Sequence, residues 1–281
     1  MASPQQAPRR PVFMPAYDTE WAGACLESCR KIARVHRKLG VPATFFIVGK
    51  LLEKDGPEFR KVLDDPLFDV QTHTYSHPML KDSKSHGPAV SLEEMDFEVS
   101  RGKQLVEEVF GRECIGLRPG CGFTDGWSGT PERLEIIRRH GLQWVSADLR
   151  GPTDTIPAPL KQTYRYEADG YGDILEIPGH GWHDNVFKSL TPHPTMFPPL
   201  YAFALPQRFP QTVVEVFAQE GRWLEHGCEL GLEYVSLVQH PWSNYRYDQG
   251  MATLELILVR AKQLGMRFMS YLDYYRELAA G

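Results

Sequence analysis

Apolar residues along the chain fall into short runs that alternate with longer stretches of helical period. Val12–Tyr17 (VFMPAY) is a short apolar run that ends in Asp18. From Trp21 to Leu39 the positions Cys25, Ile32, Val35 and Leu39 recur at helical spacing, and Gly40 supplies a stop. Ala43–Val48 (ATFFIV) combines aromatic and β-branched residues and predicts a buried strand. Phe59–Leu63 predicts a short helix, and Phe68–Thr72 a strand running into His73. Ser91 and Glu94 have capping-box spacing ahead of an amphipathic helix that ends at Phe110–Gly111. Further strands are predicted at Cys114–Leu117, Trp144–Ser146, Ile174–Ile177, Tyr234–Val238 and Arg267–Tyr271. Further helices are predicted at Pro131–His140, Thr212–Leu230, Thr253–Leu264 and Leu272–Leu278.

Seven or eight β–α units with no second hydrophobic pattern predict one parallel α/β barrel, its apolar strands covered outside by helices. A chain of 281 residues suits a single barrel domain over 12–281, behind a polar, Pro-rich and flexible segment at 1–11 (MASPQQAPRRP). Gly179–Pro210 breaks the alternation. It is rich in Pro, His and aromatic residues, has little periodicity, and is expected to form a long functional loop over the barrel mouth.

Composition narrows the partners. A net charge of −5 argues against nucleic acid, and no apolar run is long enough to span a bilayer. No apolar export segment follows residues 1–11, so a cytoplasmic location is expected. The five scattered cysteines read as free thiols of a reducing compartment. The expected partner is a small-molecule or saccharide substrate.

The unusual polar residues fall at strand ends. Asp18, Glu20, His73, His77, Arg118, Asp148 and His240 all follow predicted strands, and in an α/β barrel those ends converge on one face. His73 and His77, four apart in THTYSHP, would share one side of a helical turn closed by Pro78 and could ligate one divalent ion. Asp18 and Glu20 (YDTEW) offer a third ligand and a base, one binding the metal and the other taking a proton from its water. The plainer alternative is that Asp18 or Thr19 caps the helix near Trp21. His240 is either a core histidine or a proton donor to a leaving amine. Arg118 either forms a surface salt bridge or steadies the carboxylate base. Asp148 is expected to orient His240 or Arg118, and Gly120 and Gly122 to let the backbone approach the pocket. Trp127, Trp182 and Trp242 are candidate substrate-binding aromatics, with core packing as the alternative for each. His180, His183 and His193 are expected not to be ligands.

These residues carry a resemblance to the polysaccharide deacetylases with a NodB-type domain. His73-Thr-Tyr-Ser-His77-Pro78 resembles that family's His-Ser/Thr-x-x-His-Pro metal motif, and Thr44–Phe46 its second strand. Arg118-Pro-Gly-Cys-Gly122 is similar to its Arg-x-Pro-Tyr/Trp-Gly motif, with Gly120 and Cys121 substituted, and Leu237-Val-Gln-His240 to a stretched Leu-x-His motif. The first motif departs from the usual adjacent aspartates: the acids are separated by Thr19, and the second is Glu20. The resemblance implies a distorted (β/α)7 TIM-like barrel and a divalent metal, zinc first, with cobalt, nickel or manganese as alternatives. It implies metal ligation by Glu20, His73 and His77, with Asp18 as base, His240 as acid and Arg118 steadying the base. The implied reaction is deacetylation of an N-acetyl amino sugar. Two rival readings are a cyclic imide, ureide or formamide hydrolase on the same barrel, and an inactive barrel acting as a binding module.

Overall fold

Strand and helix alternate as the apolar pattern requires in the computed structural model, which describes residues 10–21, 23–190 and 209–280. The strands are β1 (Val12–Phe13), β2 (Ala16–Thr19), β3 (Ala43–Ile47), β4 (Phe68–Thr72), β5 (Gly116–Leu117), β6 (Trp144–Val145), β7 (Tyr164–Tyr166), β8 (Tyr171–Glu176), β9 (Tyr234–Val235), β10 (Val238–Gln239) and β11 (Arg267–Phe268). The helices are α1 (Ala24–Leu39), α2 (Gly49–Leu63), α3 (Leu92–Phe110), α4 (Pro131–Arg139), α5 (Asp184–Phe187), α6 (Val213–Glu229), α7 (Pro241–Tyr247), α8 (Ala252–Gln263) and α9 (Tyr271–Ala280).

The main sheet runs β10-β2-β3-β4-β5-β6-β8-β7, parallel except for the last pair. Beyond β8 the chain continues to His180, which makes a parallel bridge to Leu237 between β9 and β10 and so closes the sheet on itself. With β1 and β2 as one interrupted strand and β9 and β10 as another, the closed wall has seven parallel strands, which is the distorted (β/α)7 barrel. The distortion lies between β6 and β8, where an antiparallel ribbon through β7 replaces the crossover helix.

Side-chain alternation builds two layers from each strand. In β3, Phe45 and Ile47 pack outward under α1 and α2, whereas Phe46 points into the barrel against Trp144 and Tyr271. In β8, Ile174 faces the cluster under α4 and Leu175 faces the interior. All five cysteines are free thiols. Among the described residues no helix is long and apolar enough to cross a membrane.

Several elements differ from expectation. Helix α2 starts at Gly49 rather than near Phe59. Its middle reads as a break in the sequence, and the helix is in fact kinked at Asp55, just before Gly56-Pro57. Gly56 is required there, because a Cβ would come within 2.7 Å of Val109 on α3. The stretch from Gly179 is not a structureless loop. Gly181 pairs with Ala158, and α5 is buried in the wall beside the closing bridge, while residues 191–208, including His193, lie outside the described residues. The expected strand at Arg267–Tyr271 stops at Phe268, and α9 begins at Tyr271. Of the expected flexible segment at 1–11, residues 1–9 lie outside the described residues.

Candidate active site

The ends of β2, β4, β5 and β10 bring Glu20, Asp18, His73, His77, Arg118 and His240 together. Thr19 is the last residue of β2 and Glu20 the first beyond it. Neither Asp18 nor Thr19 caps α1, which begins at Ala24 behind Gly23 with no side-chain cap. The two carboxylates are free for other partners and take different ones.

Glu20 joins the histidines. One ligand atom from each of Glu20, His73 and His77 lies within 4.8 Å of the other two, and Glu20 Oε2 is 3.0 Å from His77 Nε2. His73 Nδ1 donates to the Arg118 carbonyl at 2.7 Å, which leaves Nε2 with its lone pair turned to the cluster. Burial, chiefly, pushes the His73 imidazole down to about 4, so it is neutral at pH 7, the form that ligates a metal. The two histidines do not share a helical turn, as their spacing suggested. Thr74 and His77 both adopt positive φ, and this coiled loop brings the rings to 4.9 Å between centroids. Glu98 on α3 ties the loop down through the Ser76 backbone N–H, at 2.6 Å, and hydroxyl. Gly120 packs against the His77 ring so closely that a Cβ would lie 2.8–2.9 Å from it. Gly122, by contrast, makes room for Leu149.

Two imidazoles and a carboxylate suit a divalent first-row ion, zinc among them, and leave positions for water. The free Nε2 of His73 and the Gly120 cradle fit that use.

Asp18 takes the other direction. Its Oδ1 accepts from Arg118 Nη1 at 2.8 Å, and both groups are buried. Burial raises the Asp18 carboxyl, but Arg118, His73 and His240 together outweigh burial and hold it below its ordinary value. Arg118 is no surface cation. Its guanidinium donates to Ser146 Oγ and to Tyr271 OH at 2.7 Å and lies over the Phe46 ring at 4.2 Å. Five points of contact fix one charged plane behind Asp18.

His240 faces Glu20 with Nε2 at 3.2 Å, and its Nδ1 is 2.6 Å from Asp184 Oδ1. Asp184 also accepts from the His240 backbone N–H at 3.0 Å. Burial lowers the imidazole, but Glu20 and Asp184 outweigh it and raise it to about 9, so His240 carries a proton at neutral pH. Asp184 is held well below its ordinary range: burial raises it, and Lys188 and His240 more than offset that.

Asp148 does not orient His240 or Arg118. Its Oδ2 accepts from Lys161 Nζ at 2.7 Å and Tyr164 OH at 3.0 Å, because the β7 ribbon folds over the end of β6 and claims it. Trp127 is fully buried against Phe123 in the second core cluster, and Trp182 stacks on Phe187 in the first; both are packing residues. Trp242 does reach the site, with its Nε1 donating to Glu20 Oε1 at 3.3 Å. Its outer face is covered by Trp21, stacked at 4.3 Å and 6°, and Trp21 is 40% exposed at the rim. His180 and His183 are engaged with the carbonyls of Lys161 and Leu149.

Sequence reasoning missed Asp184, Ser146, Tyr271 and Trp21. Asp184 lay in a segment without periodicity. Ser146 is the predicted end of β6 and Tyr271 the predicted end of the last strand, but neither type stands out among neighbours. Trp21 directly follows Glu20 and was legible from that position alone.

The model of the family described as polysaccharide deacetylase matches residues 6–145. This chain belongs to the polysaccharide deacetylase family. That membership places it among hydrolases of amide carbon–nitrogen bonds. Its fold is similar to that of a Mycobacterium smegmatis protein assigned to the polysaccharide deacetylases, at 15% identity and TM-score 0.67 over 98% of this chain and 93% of that one. It is also similar to a family 4 carbohydrate esterase from Streptomyces lividans solved with acetate, at 15% identity and TM-score 0.55 over 93% of each chain. A Bacillus anthracis protein described as a family 4 pseudoenzyme matches at 14% identity and TM-score 0.51, over 95% of this chain and 66% of that one. At these identities the likeness concerns the fold. No curated protein sequence matches.

Proposed function

We propose that the protein is a divalent-metal-dependent N-deacetylase acting on an acetylated amino sugar. One observation carries the reading: the Glu20, His73 and His77 donors form one cluster, with Arg118-bound Asp18 and Asp184-bound His240 beside it. Glu20, His73 and His77 would hold the ion. When bound, the ion supplies Lewis acidity, polarising the amide carbonyl and making water acidic enough to yield a nucleophile near neutral pH.

The chain's own residues do the proton work. Asp18, ionised and held by Arg118, accepts the proton of the attacking water. His240 enters the reaction protonated and gives the proton on Nε2 to the departing nitrogen, so the amine leaves neutral. Asp184 keeps the His240 ring turned with Nε2 to the reacting atoms. Trp21, exposed and backed by Trp242, offers a flat apolar face for a sugar ring at the rim.

The test is acetate release from tri-N-acetylchitotriose by the zinc-loaded protein, before and after chelation. Release that stops on chelation and returns with zinc is expected. A protein that binds zinc but releases no acetate, formate or ring-opened product from acetyl-sugars, formamides or cyclic ureides would be a binding module instead.

A further inference from the structure

Asp184 has a second partner on the side away from His240. The Lys188 ammonium lies 2.8 Å from Asp184 Oδ2 and 2.6 Å from Asn244 Oδ1, and its side chain is 1% exposed. The polar line continues: Asn244 Nδ2 donates to Gln239 Oε1 at 3.1 Å, and Gln239 Nε2 donates to Glu220 Oε1 at 3.1 Å. These groups come from the end of α5, from α7, from β10 and from α6, and all are buried. Burying an ammonium is costly unless it is paired and hydrogen-bonded, so a lysine placed here needs a reason.

The geometry gives one. Among the described residues Asp184 Oδ1 serves His240 alone, accepting from its backbone N–H and its Nδ1. Oδ2 cannot compete for the imidazole while Lys188 occupies it. We propose that Lys188 is a positioning residue for the His240 acid: by holding Asp184 Oδ2, it aims Oδ1 at Nδ1 and so fixes the direction of Nε2. Asn244 holds the ammonium from its other side. Lys188 touches neither the reacting atoms nor the metal ligands and acts only through Asp184. The inference rests on the reading of His240 as the proton donor.

The test uses the full chain with the variants Lys188→Met, Lys188→Gln, Asp184→Asn and the double variant Asp184→Asn/Lys188→Met. The first readout is the low-field imidazole N–H proton resonance, assigned to His240 by its absence in His240→Ala. The second is kcat and KM for acetate release from tri-N-acetylchitotriose. In Lys188→Met the resonance should vanish or move upfield, and kcat should fall about 10–100-fold, as for other outer-shell partners, with KM little changed. Lys188→Gln, which still donates one hydrogen bond, should keep the resonance and recover much of kcat. In the Asp184→Asn background, removing Lys188 should cost nothing more. That double variant removes both members of the buried ion pair together, so it carries the test if Lys188→Met fails to fold. An unaltered resonance in Lys188→Met, or a further tenfold loss in the double variant over Asp184→Asn, would overturn the proposal. If the wild-type protein deacetylates nothing, the deacetylase reading fails, and the resonance alone decides the role of Lys188.

Discussion

Replacing Gly120 with alanine asks whether the His77 imidazole has only one place to be. The main chain tolerates the change, since Gly120 is not among the positive-φ glycines. The obstacle is steric. A Cβ at 120 would meet Cε1, Nδ1 and Nε2 of His77 at 2.8–2.9 Å, where ordinary contact begins near 3.4 Å. The ring must therefore retreat by about 0.6 Å, more than the roughly 0.5 Å within which a functional site has to be held. Glu20 at 3.0 Å and the His73 ring at 4.9 Å crowd its other sides. Zinc affinity should fall about 10–100-fold, or about 1.4–2.7 kcal/mol, with an overpacking cost to the fold of about 1–3 kcal/mol. Competition for zinc against a chromophoric chelator measures the first, and urea denaturation the second. A folded Gly120→Ala protein that binds zinc within twofold of wild type would refute the reasoning.

Other consequences follow from the same geometry. His240→Ala should retain zinc yet lose about 10²–10⁴-fold in kcat, and normal turnover would remove His240 from the mechanism. Trp21→Ala should lower kcat/KM for the trisaccharide more than for N-acetylglucosamine, and an equal effect on both would deny it a place in sugar binding. Glu176 is buried, accepting from the Ala147 and Asp148 N–H groups and the Tyr166 hydroxyl, and its carboxyl is pushed up to about 8, first by burial and then by Asp148. The folded state therefore holds this proton more tightly than the unfolded chain, and stability should fall as pH rises from about 4.5 to 8, by up to ~4 kcal/mol. Glu176→Gln keeps an acceptor for the Ala147 and Asp148 N–H groups and should flatten that decline in urea titrations at pH 5 and 8.5; an identical slope in both proteins would contradict it.

The barrel was legible because its strands carry the apolar runs that a doubly covered sheet needs, and the main helices other than α2 have a Gly stop or a cap at one end. The polar residues at strand ends pointed to one face for the same reason. What was not legible depended on contacts distant in sequence. Asp148 looked like an orienting acid until the β7 ribbon, which has no strong strand pattern, came to cover it. Asp184 took that role from a stretch where Gly, His and Pro hid a four-residue helix. The two histidines meet through left-handed residues at 74 and 77, a conformation that neither threonine nor histidine advertises.

The most direct measurement is the metal content of protein equilibrated with zinc and then dialysed. Wild type should retain one zinc ion per chain, and the His73→Ala/His77→Ala double variant, folded by circular dichroism, should retain none. Zinc kept by the double variant, or absent from wild type, would contradict a cation held by Glu20, His73 and His77.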